Sequence, residues 1–151
     1  QLYRIEFEVS IRLFVDRLQM IELLQNKNKG KIVLCNAGTF YIAIGKDAIL
    51  LNKILDLKLN CFKPEVCKVG FPIISLEKYT ELIAEKQYSY IVYYFNKDKN
   101  ELEVIQEYEG KKQNEIEENK NNCAICKHTT NVYKKTDKYI QAVAKLYEKE
   151  E

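Results

Sequence analysis

The stretch Lys31-Ile-Val-Leu-Cys-Asn-Ala-Gly-Thr-Phe-Tyr-Ile-Ala-Ile44 decides how this chain is read. Lys31 to Asn36 is a short, β-rich apolar run, Ala37-Gly38 is a turn, and Thr39 to Ile44 is a second run of the same kind, which together predict a β-hairpin. Working outward, Asp47 to Asp56 carries Ala48, Leu51 and Leu55 at helical spacing, Leu57 to Phe62 looks extended, and Val66 to Phe71 is a further strand closed by Pro72. Ser75 stands as an N-cap for a helix bearing Glu77 in its first turn and Leu76, Tyr79, Leu82 and Ile83. Ser89 to Phe95 and Glu101 to Tyr108 flank the turn-like Asn96 to Asn100 as a second hairpin.

Before this central segment, residues 2 to 25 contain no Gly or Pro and place Phe7, Ile11, Phe14, Leu18 and Ile21 on one helical face, with Leu2, Ile5, Val9 and Leu13 as a second apolar line. Two lines make a stripe wider than one sheet requires, so this helix is either deeply buried or shared with a partner. After Gly110, Lys111 to Asn122 is almost wholly polar, and a last helix from about Thr136 to Glu148 presents Tyr139, Val143 and Leu146. The predicted class is α/β in the α+β sense: a mixed sheet of about six strands with flanking helices, plus N- and C-terminal helices. The organisation expected is an N-terminal helix over residues 1–30, an α/β domain over 31–110, and a polar linker with a Cys-x-x-Cys segment and a C-terminal helix over 111–151.

Composition narrows the class. The chain has 151 residues, 46% hydrophobic and 30% charged, enough for one core. Its five cysteines form no dense regular framework, which predicts reduced thiols and a cytoplasmic location, and no apolar run is long enough to cross a bilayer. Net charge is +2 but uneven: residues 27 to 68 hold eight Lys against Asp47, Asp56 and Glu65, a balance of +5, whereas residues 69 to 110 hold four Lys against eight acids, a balance of −4. A Lys-rich half beside an acidic half points to a polyanion on one side of the fold.

Gly38-Thr-Phe-Tyr-Ile-Ala-Ile-Gly-Lys-Asp-Ala48 resembles the G-D-F-Y-E-x-F-x-x-D-A signature of the N-terminal mismatch-recognition domain, domain I, of the MutS family. Gly38, Phe40, Tyr41, Asp47 and Ala48 match, Gly70-Phe71-Pro72 is similar to the family's G-[IV]-P element, and the following Glu77, Tyr79 and Leu82 fit its E-x-Y-x-x-L helix. The resemblance implies a MutS domain I-like fold that binds DNA, RNA or a DNA–RNA hybrid. Phe40 would be the wedge that enters the duplex beside a mispaired base, at a cost that is lower where the step is already weakened. Ile42 stands where the family has its base-reading Glu, and isoleucine neither donates nor accepts a hydrogen bond, so the scaffold's mismatch chemistry is expected to be reduced or lost. Thr39 replaces the family's Asp, and Ile73-Ile74 replaces its Tyr-His.

For Phe40, strand alternation places it with Ile42 and Ile44 on an all-apolar face, and that parity ranks burial in the core ahead of nucleic-acid contact. Lys27, Lys29, Lys31, Lys46 and Lys63 are the candidate phosphate contacts. Stand-alone MutS-like proteins accompany some reverse transcriptases of diversity-generating retroelements, so the resemblance also implies a possible accessory role beside such an enzyme. The competing expectation is a protein-interaction adaptor that uses the fold only as a scaffold and docks a polypeptide on the N-terminal helix. The chain has no G-x-x-x-x-G-K-[ST] phosphate loop, and no nucleophile, base and acid group suggests an active site, so a non-enzymatic protein without a cofactor is expected. The one alternative is zinc on Cys123, Cys126 and His128, three ligands that still need a fourth.

Overall fold

In the computed structural model, residues 17–62, 66–115 and 142–147 are described. Among these residues, six strands form one sheet: β1 (Ile32–Ala37), β2 (Phe40–Ile44), β3 (Asn60–Phe62), β4 (Val66–Pro72), β5 (Tyr90–Asn96) and β6 (Glu101–Tyr108), in the order β3-β4-β2-β1-β5-β6. Only β1 and β5 run parallel; every other neighbouring pair is antiparallel. The predicted mixed sheet with flanking helices is therefore the observed one. The hairpin at its centre closes on Ala37↔Phe40, with Gly38 at φ +62°, a left-handed conformation that glycine adopts without steric penalty.

Among the described residues, four α-helical segments cover the two faces: α1 (residues 17–27), α2 (Gly45–Leu55), α3 (Leu76–Glu85) and α4 (residues 142–147). Because strand side chains alternate, Val33, Cys35, Ile42, Ile44, Ile91, Tyr93 and Phe95 point to one face. There they pack with Leu18, Met20, Ile21 and Leu24 of α1 and Ala142, Val143 and Leu146 of α4. Ile32, Leu34, Tyr41, Ala43, Val69, Phe71, Tyr90 and Val92 point to the other, against Ala48, Leu50 and Leu51 of α2 and Ile83 of α3. Over its described residues, the broad apolar stripe of α1 is thus buried by the sheet and by the chain's own C-terminal helix.

Two local expectations change. Ser75 occupies the N-cap position of α3 but makes no capping hydrogen bond, because a 3-10 turn, Ile73–Ser75, leads directly into the helix. The extended segment expected from Leu57 pairs only from Asn60, after Asp56 ends α2 in the left-handed conformation at φ +55°. Lys63 and the trio Cys123, Cys126 and His128 lie outside the described residues, as do residues 1–16, where the N-terminal helix was expected to begin. Among the described residues, no helix is long and apolar enough to cross a membrane.

Candidate nucleic-acid interface

The β1–β2 hairpin has two ends, and the candidate residues divide between them. Phe40 opens β2 at the tip, cross-strand from Ala37 on one side and Pro72 on the other. It is 46% exposed, while Ile42, two residues on and on the same face, is 4% exposed and packed in the core beneath α1. Parity therefore places the three side chains on one face correctly but misjudges the burial of Phe40, which stands at the open end of the strand. The expectation that Phe40 is core is overturned.

Beside Phe40, the N–H of Ile73 donates to the carbonyl of Thr39 at 3.0 Å, tying the turn after β4 to the hairpin tip. Ile73 is 41% exposed and Ile74 94% exposed, so the tip is an apolar projection beyond the sheet. It rests on a stiff base. Tyr41 lies 6.3 Å from Phe71, and Phe71 stacks on Tyr79 of α3 with ring centroids 4.6 Å apart. Just inside the tip, the Asn36 side chain extends the pairing of β1 with β5 past the last ladder residue, Cys35: its amide donates to the Phe95 carbonyl at 3.2 Å and its oxygen accepts from the Phe95 N–H at 2.7 Å. Arg17, itself buried, donates to the Asn36 carbonyl at 2.8 Å.

The candidate lysines stand elsewhere. Lys27, Lys29 and Lys31 precede β1 and Lys46 follows β2, so all four lie at the opposite end of the hairpin, about 17 Å of strand away from the tip. Lys31 is engaged by the β6 side: it pairs with Glu107, and with Glu109 at 3.4 Å, and the hydrogen bond to Glu107 raises its pKa above the usual value. Lys27 Nζ sits 4.8 Å from the ring centre of Tyr147. The fold does not bring these lysines together with Phe40. The exposed cations it places at the Phe40 end include Lys78 in the first turn of α3 and Lys97 and Lys99 in the β5–β6 turn. They fall in the half of the chain whose net charge is negative, so a charge count along the sequence passes over them.

The opposite end is organised by Asp47. Its carboxylate is fully buried and accepts from Gln25 Nε2 at 2.9 Å, from the Val33 N–H at 3.1 Å and from Asn114 Nδ2 at 2.7 Å. Val33 lies beyond the β1–β2 register, which begins at Cys35↔Ile42, so the carboxylate takes up an N–H that β2 leaves over. Burial pushes the pKa of Asp47 up to about 6, against the pull of its three donors. One side chain thereby joins α1, β1, α2 and the segment after β6.

Each signature position now has a physical role. Gly38 makes the turn, Tyr41 and Phe71 build the aromatic base, and Asp47 and Ala48 are buried where α2 meets the sheet. Gly70 lies opposite Ile42, where a Cβ would come within 3.2 Å of the Ile42 side chain. The sequence model of MutS domain I matches residues 18–132, from α1 to well beyond β6. This chain belongs to the MutS domain I family. No curated protein matches it.

Proposed function

We propose that this protein binds nucleic acid without catalysis, through the Phe40 end of its MutS domain I-like sheet. The observation that carries the reading is the exposure of Phe40, a large apolar side chain held at the tip of a hairpin whose next residues on that face are buried. An exposed aromatic on a stiff support is suited to enter an opened base step, and Lys78, Lys97 and Lys99 stand at the same end to meet phosphates. Ile42 has no hydrogen-bonding group and is buried, so it supplies no base-reading contact. The adaptor reading draws less support, since α4 and the sheet cover the described part of the α1 stripe.

We further propose the accessory role beside a reverse transcriptase of a diversity-generating retroelement, which rests on family resemblance. Fluorescence anisotropy at low salt tests the binding itself, with matched and mismatched DNA duplexes, single strands and RNA–DNA hybrids as probes. Saturable binding that weakens steeply with added salt is the expected result. No binding to any of these probes would refute the reading.

A further inference from the structure

β6 forms one edge of the sheet, and with eight residues it is the longest strand among those described. Its inner side pairs with β5 from Glu101 to Tyr108, while the main-chain groups of its outer side meet no strand among the described residues. An unpaired edge of this length is a template for one more strand. β3, at the other edge, is only three residues long.

Two features set β6 apart from a merely solvated border. The pairing with β5 shifts between Val92↔Gln106 and Tyr93↔Val104, which leaves Ile105 without a cross-strand partner. Val104 and Ile105 are 45% and 46% exposed, so two consecutive apolar residues stand in water at the middle of the edge. The flanks of this pair are acidic on both sides, with Glu101 and Glu103 before it, Glu107 and Glu109 after it, and no Lys or Arg from 101 to 109. Lys31 pairs with Glu107 and Glu109, whereas Glu101 and Glu103 are in no ion pair among the described residues.

We propose that the outer edge of β6 docks an extended segment of another protein, apolar at its centre and rich in Lys or Arg on either side, which adds a strand to the sheet. Main-chain hydrogen bonds to β6 supply the attachment, and the side chains supply the selectivity. The apolar centre covers Val104 and Ile105, and the flanking cations meet the glutamates. Charge decides between the occupants. Four carboxylates repel a nucleic acid, so this edge takes a different ligand from the Phe40 end and stands independently of the proposed nucleic-acid function. A second copy is disfavoured as well: antiparallel pairing of two β6 strands about Ile105 sets Glu103 against Glu107 and Glu101 against Glu109.

The test titrates the full chain into a fluorescein-labelled peptide of alternating Lys and Val, about nine residues long to match a strand of this size, with a Glu–Val peptide of the same length beside it. Saturable binding of the Lys–Val peptide is expected, with none of the Glu–Val peptide and with slowed deuterium exchange at β6 amides in the complex. The double variant Glu101→Lys, Glu103→Lys should weaken binding about tenfold and Ile105→Ser about fivefold. Glu85→Lys, which reverses an exposed acid on α3, should leave it unchanged. An equal loss with Glu85→Lys would show general charge attraction and overturn the docking edge. Binding without protection of β6 amides would overturn strand addition. Self-association of the protein alone by light scattering, lost in the double variant, would make the occupant a second copy and overturn the proposal, as would absence of Lys–Val binding.

Discussion

Replacing Asp47 separates the work of its hydrogen bonds from the cost of its charge. In Asp47→Ala the Val33 N–H, a fixed main-chain donor, loses its acceptor, and Gln25 and Asn114 each lose one acceptor, Gln25 Nε2 keeping the Ile44 carbonyl at 2.9 Å. A buried donor left unsatisfied costs about 1 to 3 kcal/mol, and the two amides can partly reorient, so a loss of about 3 to 5 kcal/mol is expected. That is a large share of the roughly 5 to 15 kcal/mol available to a domain. Asp47→Asn behaves differently: its carbonyl oxygen can still accept from Val33 and Gln25, and a flipped Asn114 amide can accept from its new NH2 group. The charge also makes the wild type pH-dependent. With its pKa raised from 3.8 to about 6 by burial, Asp47 holds its proton more tightly in the folded state. Its contribution to stability is therefore fully present below about pH 3.8 and is lost as pH rises through about 6, by about 3 kcal/mol in all. Urea unfolding followed by circular dichroism from pH 4 to 8 should show Asp47→Asn gaining on the wild type as pH rises, while Asp47→Ala stays below both. Parallel pH curves for wild type and Asp47→Asn would refute the raised pKa. An Asn variant as damaged as the Ala variant would refute the neutral network.

Three further outcomes follow from particular contacts. Asn36→Ala removes both side-chain bonds to Phe95 at the end of the β1–β5 pairing and should cost about 2 to 4 kcal/mol in urea unfolding. At Gly110 a Cβ would stand 2.2 Å from the Gln87 carbonyl oxygen, an atom that also accepts from the Lys112 N–H. Gly110→Ala should therefore lower stability by about 2 kcal/mol or more, read as a fall in melting temperature. Lys31→Ala removes a cation already paired with Glu107 and Glu109 at the end remote from Phe40; stability should change by about 1 kcal/mol or less, and nucleic-acid affinity should be unchanged by anisotropy.

Most of the architecture is legible in the sequence because it depends on local signals. The runs on either side of Gly38 alternate or saturate with β-formers, Gly and Pro mark the turns, and the helices show their apolar spacing, so strands, helices and sheet class follow. The family likeness also rests on local motifs. Ser75 makes no capping bond because a preceding 3-10 turn changes the backbone that a cap needs. The site was less legible. Phe40 has the composition of a core position, and its exposure at the end of the strand depends on how the rest of the chain packs on the sheet.

Sequence alone thus determined the order of elements, the hairpin and the loss of a hydrogen-bonding group at Ile42, since each is a property of residues near one another in the chain. Tertiary structure decided the rest: that Phe40 is exposed while Ile42 sinks beneath α1, and that Ile73, far along the chain, is hydrogen-bonded to Thr39 beside it. It also placed Lys27, Lys29, Lys31 and Lys46 at the other end of the hairpin, and joined Asp47 to donors from three separate segments. The physical reason is the same in each case. Exposure, charge neighbourhood and pKa belong to what surrounds a group in space, and only the packing of helices on the sheet sets those surroundings.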